Sequence, residues 1–438
     1  MSTFLVTGGV PLYGSVRIGG AKNASFKLMI ASLLANSESR LLNFSHISDV
    51  QTVGEIITEL GGSVHQAGER AIFINPETLN KWTLDPAKGE QGRFSTMFLG
   101  PLLARFGQAA VPAPGGDQIG KRPLERHFDG LQALGVEMKT EGNMFIAKTN
   151  GLKGTSYKFE KNTHTGTETL IMAAVKAQGT TILENAAEEP EIDDLIEFLN
   201  DMGAHIRRRA QRVIEIEGVS ELHGAIHKLM PDRNEAVSYA CAAIATKGDV
   251  IIENAKAEHL KAFITKLEEM GAGHEVGKYG MRFFYKDGLR SADVTTEIEP
   301  GFMTDWQPLW ATLATQATGE SHLHETIMQR RFQYVDELIQ MGAKIERYQP
   351  EVAHPEKIYN FNIEDDKPED MHAIKITGPT PLKAGEFNVK DLRHGATLIL
   401  AAMIAQGTST IHGIEHVDRG YEKLDERLKS MGANISRV

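Results

Sequence analysis

Apolar and polar positions follow two spacings along the chain, and the same succession recurs six times. In one copy Leu170, Ile171 and Ala174 have helical spacing, and residues 180–183 (Thr-Thr-Ile-Leu) then form a strand-like run. A second amphipathic stretch follows and ends in Leu-Gly or Met-Gly. The pattern predicts a unit of helix, strand, helix and further strands. The closing glycines of the six copies are Gly61, Gly135, Gly203, Gly271, Gly342 and Gly432.

Six units of this kind predict an α/β protein with two domains of three units each. Solenoid repeats usually measure roughly 20 to 50 residues, and these units are longer, so an open array is disfavoured. The last interval is extended by a polar segment rich in Pro, Asp and Glu at residues 346–378, which we interpret as a surface insertion.

Composition places the chain among ordinary globular proteins, with 438 residues, 41% hydrophobic and 24% charged. Apolar runs stay short of the roughly 18 residues of a membrane span, and the N-terminus lacks a signal-peptide pattern, so we expect a cytoplasmic protein without a membrane partner. A net charge of -11 argues against a nucleic-acid partner. Cys241 is the one cysteine, so an intrachain disulfide is excluded.

Residues that break the repeat are the better candidates for function. Gly19, Gly20 and Lys22 precede a predicted helix, a combination that suits a phosphate or carboxylate but also fits a loop with a solvated lysine. The Gly/Pro-rich loop 112–123 contains Asp117, which could serve chemistry, a lid or a simple turn. Asp305 precedes another helix, where it is either a cap or a general base.

Arginines recur near the ends of predicted elements, where they are either solubilising residues or, if the fold gathers them, an anion site. They are Arg93, Arg122, Arg233, Arg331, Arg393 and Arg419. Walker, dinucleotide, HExxH and paired-cysteine zinc motifs are absent from the sequence.

At these same positions the chain resembles the UDP-N-acetylglucosamine enolpyruvyltransferase family over nearly its whole length apart from 346–378. The matching motifs are GAKN at 20–23, LGPLLARFG at 99–107, GG at 115–116 with IG at 119–120 and RP at 122–123, ENAA at 184–187 with EPEI at 189–192, PDR at 231–233, TD at 304–305 with Gln307, DLR at 391–393 and DRGYE at 418–422.

The resemblance implies two inside-out α/β domains, each of three βαβαββ units, that close on substrates at their interface. One domain would span residues 22–229 and carry the mobile loop 112–123. The other would combine residues 1–21 with 230–438.

The implied reaction transfers enolpyruvyl from phosphoenolpyruvate to the 3'-hydroxyl of UDP-N-acetylglucosamine for peptidoglycan precursor synthesis. It releases phosphate through a tetrahedral intermediate and needs neither a metal nor an organic cofactor. The implied catalytic residues are Asp117, Lys22 and Asp305. The implied phosphoenolpyruvate ligands are Lys22, Arg122, Arg331, Arg393 and Arg419, and the implied UDP-sugar residues are Asn23, Arg93, Leu124, Thr163, Thr165, Asp305 and Ile327.

The sequence departs from the family at several of these places. Asp117 stands where most members carry a cysteine, which predicts resistance to the thiol-alkylating epoxide fosfomycin. Ser25, Phe26 and Lys27 replace the usual Ala-Leu-Pro, and Met303 replaces a proline. These departures leave open a paralogue acting on another uridine nucleotide. The related shikimate 3-phosphate enzyme and a DNA-encircling ring are the further alternatives, although a ring would repeat its basic face in every unit.

Overall fold

The computed structural model describes residues 2–115 and 119–438 and contains short strands and helices in regular alternation. The strands are β1 Thr3–Thr7, β2 Tyr13–Arg17, β3 Ser39–Leu42, β4 Ser63–Gln66, β5 Ala71–Asn75, β6 Gln108–Pro112, β7 Glu137–Glu141, β8 Met144–Lys148, β9 Ser156–Lys158, β10 Thr180–Glu184, β11 His205–Ala210, β12 Val213–Glu217, β13 Ile226–Lys228, β14 Asp249–Glu253, β15 Gly273–Gly277, β16 Gly280–Phe284, β17 Val294–Thr295, β18 Gly319–His324, β19 Lys344–Tyr348, β20 Ala373–Gly378, β21 Glu386–Asn388, β22 Thr408–His412 and β23 Asn434–Arg437.

The α-helices are α1 Lys22–Ala31, α2 Ser48–Glu59, α3 Pro86–Gly89, α4 Leu99–Phe106, α5 Glu125–Ala133, α6 His164–Ala174, α7 Pro190–Asp201, α8 Arg233–Ala245, α9 Lys261–Met270, α10 Gln307–Ala314, α11 Val335–Gln340, α12 Pro355–Ile358, α13 Leu392–Ile404 and α14 Leu424–Ser430. Short 3-10 turns occur at Ser32–Leu34, Ser95–Phe98, Ala257–His259, Ile363–Asp365 and Ile414–His416.

The predicted βαβαββ unit is confirmed, and one copy shows its topology clearly. Strands β9 and β10 pair in parallel across α6, and β12 pairs antiparallel with both β10 and β11. Five four-stranded sheets follow this plan. In the second copy the sheet has three strands, and a single parallel bridge from Thr83 to Ala110 stands in place of the first strand.

The closing glycines of the sequence repeat end the second helix of each unit. All six adopt a positive φ, between 84° at Gly271 and 102° at Gly342. Side chains with a Cβ rarely adopt this conformation, so glycine terminates the helix and turns the chain into the next strand. The repeat recognised in the sequence is therefore a repeat of helix C-caps.

The two helices of a repeat differ in burial, and in three repeats the first helix is buried nearly throughout while the second is buried on one side only. Helices α8 and α10 are buried along their whole length, and α13 is buried from Leu392 to Met403. These three helices contact one another, so they form an internal layer that the sheets cover. This arrangement gives the inside-out character that the family resemblance implied.

At a level above the six repeats, the chain divides into two compact parts, called unit 1 and unit 2 from here on, each with its own hydrophobic core. Unit 1 contains residues 2–18, 119–122 and 231–438, and unit 2 contains residues 19–115 and 123–230. The sequence placed the boundaries at 21/22 and 229/230. Strands β1 and β2 belong to unit 1 because they pair with β22, β23 and β14.

Two sequence assignments need correction. The loop 112–123 was assigned whole to the domain 22–229, whereas residues 119–122 cluster with unit 1. The Arg330 amide donates to the Ile119 carbonyl at 3.0 Å, and Lys121 pairs with Asp365 at 2.7 Å. The insertion is also shorter than 346–378, because β19 and β20 pair with each other and leave only residues 349–372 between them.

Within the described ranges 2–115 and 119–438, every helix is too short or too polar to traverse a lipid bilayer.

Candidate active site

The Asp305 carboxylate lies between two arginines of unit 1. Arg331 Nη2 donates to Asp305 Oδ1 at 2.7 Å, and Arg393 Nη2 donates to Oδ2 at 3.3 Å. The N-cap of α10 is Trp306, and no side chain caps this helix. The contacts of Asp305 therefore favour a charged site over helix capping, the other explanation that the sequence left open.

Arg393 is fixed in place from its backbone to its guanidinium. Asp391 caps α13 by accepting hydrogen bonds from the Arg393 and His394 amides at 2.8 and 2.9 Å. Arg393 Nη1 donates to the Tyr421 hydroxyl at 2.9 Å, which lies 2.7 Å from Ser238 Oγ. Arg393 is only 5% exposed, and its Nε–H has no acceptor among the described residues. A buried guanidinium with a spare donor suits a bound carboxylate or phosphate.

A small recess in unit 1 opens beside these arginines. Its lining includes Arg331, Arg393, Arg330 and His394, together with Ile119 from the 119–122 segment. The lining also includes the carboxylate residue Asp391, so three arginines and one aspartate border the recess. This excess of positive side chains is compatible with a small anion.

Ile327 lies close to this group, but its backbone amide is already used inside the protein. Glu325 Oε1 accepts hydrogen bonds from the amides of Ile327 and Met328 at 2.8 and 3.0 Å, and Glu325 Oε2 accepts one from Thr304 Oγ1 at 2.9 Å. Burial raises the pKa of the Glu325 carboxyl, while these hydrogen bonds and Arg331 oppose the shift. Glu325 thus links Thr304, the neighbour of Asp305, to the backbone at Ile327, and so holds the segments of these two predicted site residues together.

Arg419 and Arg122, the remaining predicted anion ligands of unit 1, are both partly buried. Arg419 follows the 3-10 turn Ile414–His416, and its neighbour Asp418 accepts two hydrogen bonds from Arg437 at 2.8 Å each. Arg419 also precedes Tyr421, the partner of Arg393, by two residues. Arg122 closes the 119–122 segment.

In unit 2, Lys22 and Asn23 occupy the first two positions of α1. Lys22 Nζ lies 2.9 Å from Asp49 Oδ2 and 5.5 Å from the Phe26 ring centroid. A Cβ on Gly19 would stand 2.1 Å from Ser45 Oγ, and one on Gly20 would stand 2.3 Å from the Asn43 carbonyl oxygen. We expected these glycines to admit a ligand. Glycine is instead required here because the backbone packs closely against Asn43 and Ser45, in the segment that follows β3.

Two of the predicted UDP-sugar residues of unit 2, Leu124 and Thr165, lie beside His127, a histidine that the sequence did not single out. His127 Nε2 lies 2.9 Å from Thr165 Oγ1, and the His127 amide donates to the Leu124 carbonyl at 2.9 Å. Burial, and then the charges of Arg93 and Arg126, lowers the pKa of His127 to about 3. His127 is therefore a neutral side chain beside the Thr165 hydroxyl.

Thr163 caps α6 by accepting a hydrogen bond from the Gly166 amide at 3.2 Å, and both Thr163 and Thr165 remain partly exposed. Asp117 lies outside the described residues, so the catalytic role that the resemblance implies for it stays a prediction.

The sequence matches the family profile described as EPSP synthase (3-phosphoshikimate 1-carboxyvinyltransferase) over residues 6–428. It is 40% identical to UDP-N-acetylglucosamine 1-carboxyvinyltransferase of Halothermothrix orenii over 438 residues, which cover all of both chains. The chain belongs to the UDP-N-acetylglucosamine 1-carboxyvinyltransferase family. The resemblance seen in the sequence is thereby confirmed.

Two solved structures share the fold of this UDP-N-acetylglucosamine 1-carboxyvinyltransferase family member. The enolpyruvyl transferase NikO from Streptomyces tendae has a TM-score of 0.87 at 22% identity and covers 100% of this chain and 99% of its own. EPSP synthase from Acinetobacter baumannii has a TM-score of 0.73 at 18% identity and covers both chains completely. At these identities the likeness concerns the fold, and it confirms the predicted two-domain α/β class.

The structure adds supporting residues to those carried over from the UDP-N-acetylglucosamine 1-carboxyvinyltransferase family. Tyr421 and Ser238 support Arg393, and Asp49 pairs with Lys22. Tyr421 falls inside the DRGYE motif, which was a usable signal. Ser238 and Asp49 sit in ordinary helical sequence, so only the fold could reveal them.

Replacing His127 by asparagine is expected to reduce the loss of stability in acid. Because the folded pKa of about 3 lies below the unfolded value near 6.5, neutral His127 stabilises the fold above pH 6.5. That stability is lost as the pH falls from 6.5 toward 3. Between pH 7 and pH 4, wild type should lose about 3 kcal/mol more unfolding free energy than His127→Asn.

Chemical denaturation at both pH values measures this difference. His205→Asn, at a histidine whose side chain is 69% exposed, provides the control and should retain the wild-type pH dependence. Equal acid losses in wild type and His127→Asn would show that His127 does not carry the effect.

Proposed function

We propose that this protein transfers the enolpyruvyl group of phosphoenolpyruvate to the 3'-hydroxyl of UDP-N-acetylglucosamine and releases phosphate. The choice of reaction and acceptor rests on the 40% identity, over the full length, to the UDP-N-acetylglucosamine 1-carboxyvinyltransferase of Halothermothrix orenii. The Asp305, Arg331 and Arg393 group supports it, because it joins a carboxylate to two anion-binding side chains.

In this proposal Arg331 and Arg393 bind the carboxylate of phosphoenolpyruvate. Both arginines are at most 5% exposed, so their charges act in a medium less polarisable than water. Asp305 already accepts hydrogen bonds from them, and an incoming carboxylate would share the same donors. Lys22, Arg122 and Arg419 bind the phosphate and balance its charge as it becomes the leaving group.

The acid and base roles fall to Asp117 and Asp305. In the addition step Asp305 accepts the 3'-hydroxyl proton, the hydroxyl oxygen bonds to C2 of phosphoenolpyruvate, and Asp117 delivers a proton to C3. In the elimination step a proton passes from C3 back to the ionised Asp117, the C2–O bond to phosphate breaks with its electron pair staying on the phosphate oxygen, and the double bond between C2 and C3 is restored. The proton held by Asp305 passes to the departing phosphate. Atoms and charges balance without a cofactor.

The acceptor would be held by Asn23, Arg93, Leu124, Thr163 and Thr165 of unit 2, with Asp305 and Ile327 of unit 1. The neutral His127 supports this assignment because it orients the Thr165 hydroxyl without adding a charge.

Phosphate release from phosphoenolpyruvate tests the proposal, with UDP-N-acetylglucosamine and shikimate 3-phosphate supplied as separate acceptors. We expect rapid release only with the nucleotide sugar. Release with shikimate 3-phosphate and none with UDP-N-acetylglucosamine would assign the chain to the other branch of the fold.

Alanine at Lys22 is expected to lower kcat/KM for phosphoenolpyruvate by about a hundredfold or more, because it removes a positive charge from the proposed phosphate site. Steady-state kinetics with phosphoenolpyruvate as the varied substrate measures the effect. Lys88→Ala is the matched control, since Lys88 pairs with Glu55 at 2.8 Å in the same unit. If both variants retain wild-type kinetics, Lys22 has no part in the reaction.

A further inference from the structure

A buried cluster of charges in unit 2 is not used by the proposed chemistry. Lys27 on α1 is 2% exposed and Glu168 on α6 is fully buried, with Lys27 Nζ 2.7 Å from each Glu168 carboxylate oxygen. His164 Nε2 lies 2.9 Å from Lys27 Nζ and 3.1 Å from Glu168 Oε1. Glu189, the N-cap of α7, faces the other ring nitrogen of His164 at 3.9 Å.

Burial of an ion pair costs solvation energy, so such a pair is a poor means of stabilising a fold unless its geometry is needed. Here it joins the two helices whose N-termini carry proposed substrate residues. Lys27 lies one helical turn after Asn23 on α1, and Glu168 lies one turn after His164 at the start of α6.

His164 is the member of the Lys27, Glu168 and His164 group that solvent reaches most, with a side chain 20% exposed. It lies between Thr163 and Thr165, which we have placed at the acceptor. A neutral His164 can accept a hydrogen bond from the Lys27 ammonium, whereas a protonated His164 can donate one to Glu168. Its protonation therefore changes its hydrogen-bond partner.

The charge of the cluster changes at the same time. Lys27 and Glu168 cancel, so with Glu189 the group carries one negative charge when His164 is neutral and none when His164 is protonated. Burial lowers the pKa of His164, but Glu168 and Glu189 outweigh burial and Lys27, and the pKa is raised above its usual value. A diphosphate is repelled by the negative form and tolerated by the neutral form.

We propose that His164, held by Lys27 and Glu168, is a positioning and specificity residue for the diphosphate-linked acceptor. It fixes the Thr163 to Thr165 turn and makes acceptor affinity depend on its own protonation. This inference rests on the proposed function. It goes further by assigning to Lys27, His164 and Glu168 a role in acceptor recognition.

His164→Gln tests the inference, because glutamine can still hydrogen-bond Glu168 but cannot become charged. We expect the KM for UDP-N-acetylglucosamine to rise about tenfold at pH 6.5, while kcat and the KM for phosphoenolpyruvate change less than about threefold. In wild type the acceptor KM should rise as the pH increases through the His164 pKa. In His164→Gln it should stay high at every pH.

A second set of variants separates positioning from simple structural support. Lys27→Met leaves the buried Glu168 charge without its lysine partner, so its Tm should fall. The double variant Lys27→Met/Glu168→Gln removes both charges and should recover most of that Tm. We expect the KM for UDP-N-acetylglucosamine to be raised in Lys27→Met and to stay raised in the double variant, because both variants lack the ion pair that holds His164. The exposed pair Lys266 and Glu269, 2.8 Å apart on α9, provides a control whose double neutralisation should change neither quantity.

An unchanged acceptor KM and pH profile in His164→Gln, with an active wild type, would overturn this inference and leave the proposed function intact. A double variant that regained both Tm and acceptor KM would assign the cluster a structural role only. A wild type without turnover of UDP-N-acetylglucosamine would overturn both proposals.

Discussion

Asparagine in place of Asp305 is expected to lower kcat by about three orders of magnitude, because an amide cannot accept the acceptor hydroxyl proton. The substitution preserves the size of the side chain and one of the oxygens that face Arg331 and Arg393. The KM values should change far less than kcat. Steady-state rates of phosphate release, with Tm measured alongside, provide the test.

Asp249→Asn is a matched control for this experiment. Asp249 also accepts two hydrogen bonds from an arginine, Arg282, at 2.6 and 2.8 Å, and it lies on β14 of the same unit. Loss of that pair should leave kcat unchanged. An Asp305→Asn variant with wild-type kcat would mean that another group removes the hydroxyl proton.

Fosfomycin is expected to leave the wild-type enzyme active and to inactivate the Asp117→Cys variant through a covalent adduct. Alkylation requires a reactive thiolate, and a carboxylate at position 117 offers none. The single native cysteine, Cys241, is fully buried in α8, and burial raises the pKa of its thiol well above the ordinary value. Cys241 is therefore not an alternative target.

Time-dependent activity loss and intact mass after incubation with fosfomycin measure this effect. The Asp117→Ser variant controls for the loss of the carboxylate and should gain no adduct. Rapid adduct formation on wild type would contradict the prediction, and so would an Asp117→Cys variant that stays unmodified while it turns over substrate.

The sequence predicted the fold well because a simple physical rule repeats in it. Each repeat ends its second helix with a glycine at positive φ, and these glycines mark all six copies in the sequence. The segment 119–122 was assigned to the wrong unit because its contacts with Arg330 and Asp365 join residues far apart in the chain. Periodicity carries no information about such contacts.

The candidate site was predictable to the extent that motifs marked it. The TD and DLR motifs contain Asp305 and Arg393, and the DRGYE motif contains Tyr421. These three residues meet in unit 1. The partners His127 and Glu168 could not be recognised, because a histidine or glutamate in a helical sequence looks the same whether its side chain is buried or exposed. Their roles depend on which helix packs beside them, and that is decided by tertiary structure.

The identity of the product tests the central claim most directly. Wild-type enzyme is incubated with phosphoenolpyruvate and UDP-N-acetylglucosamine, and the nucleotide sugar is analysed by mass spectrometry and NMR together with the phosphate released. We predict an enolpyruvyl ether at the 3'-oxygen, formed in equal amount to the phosphate and greatly reduced with Asp305→Asn. Phosphate release without that ether, or the ether on a different acceptor only, would contradict the account.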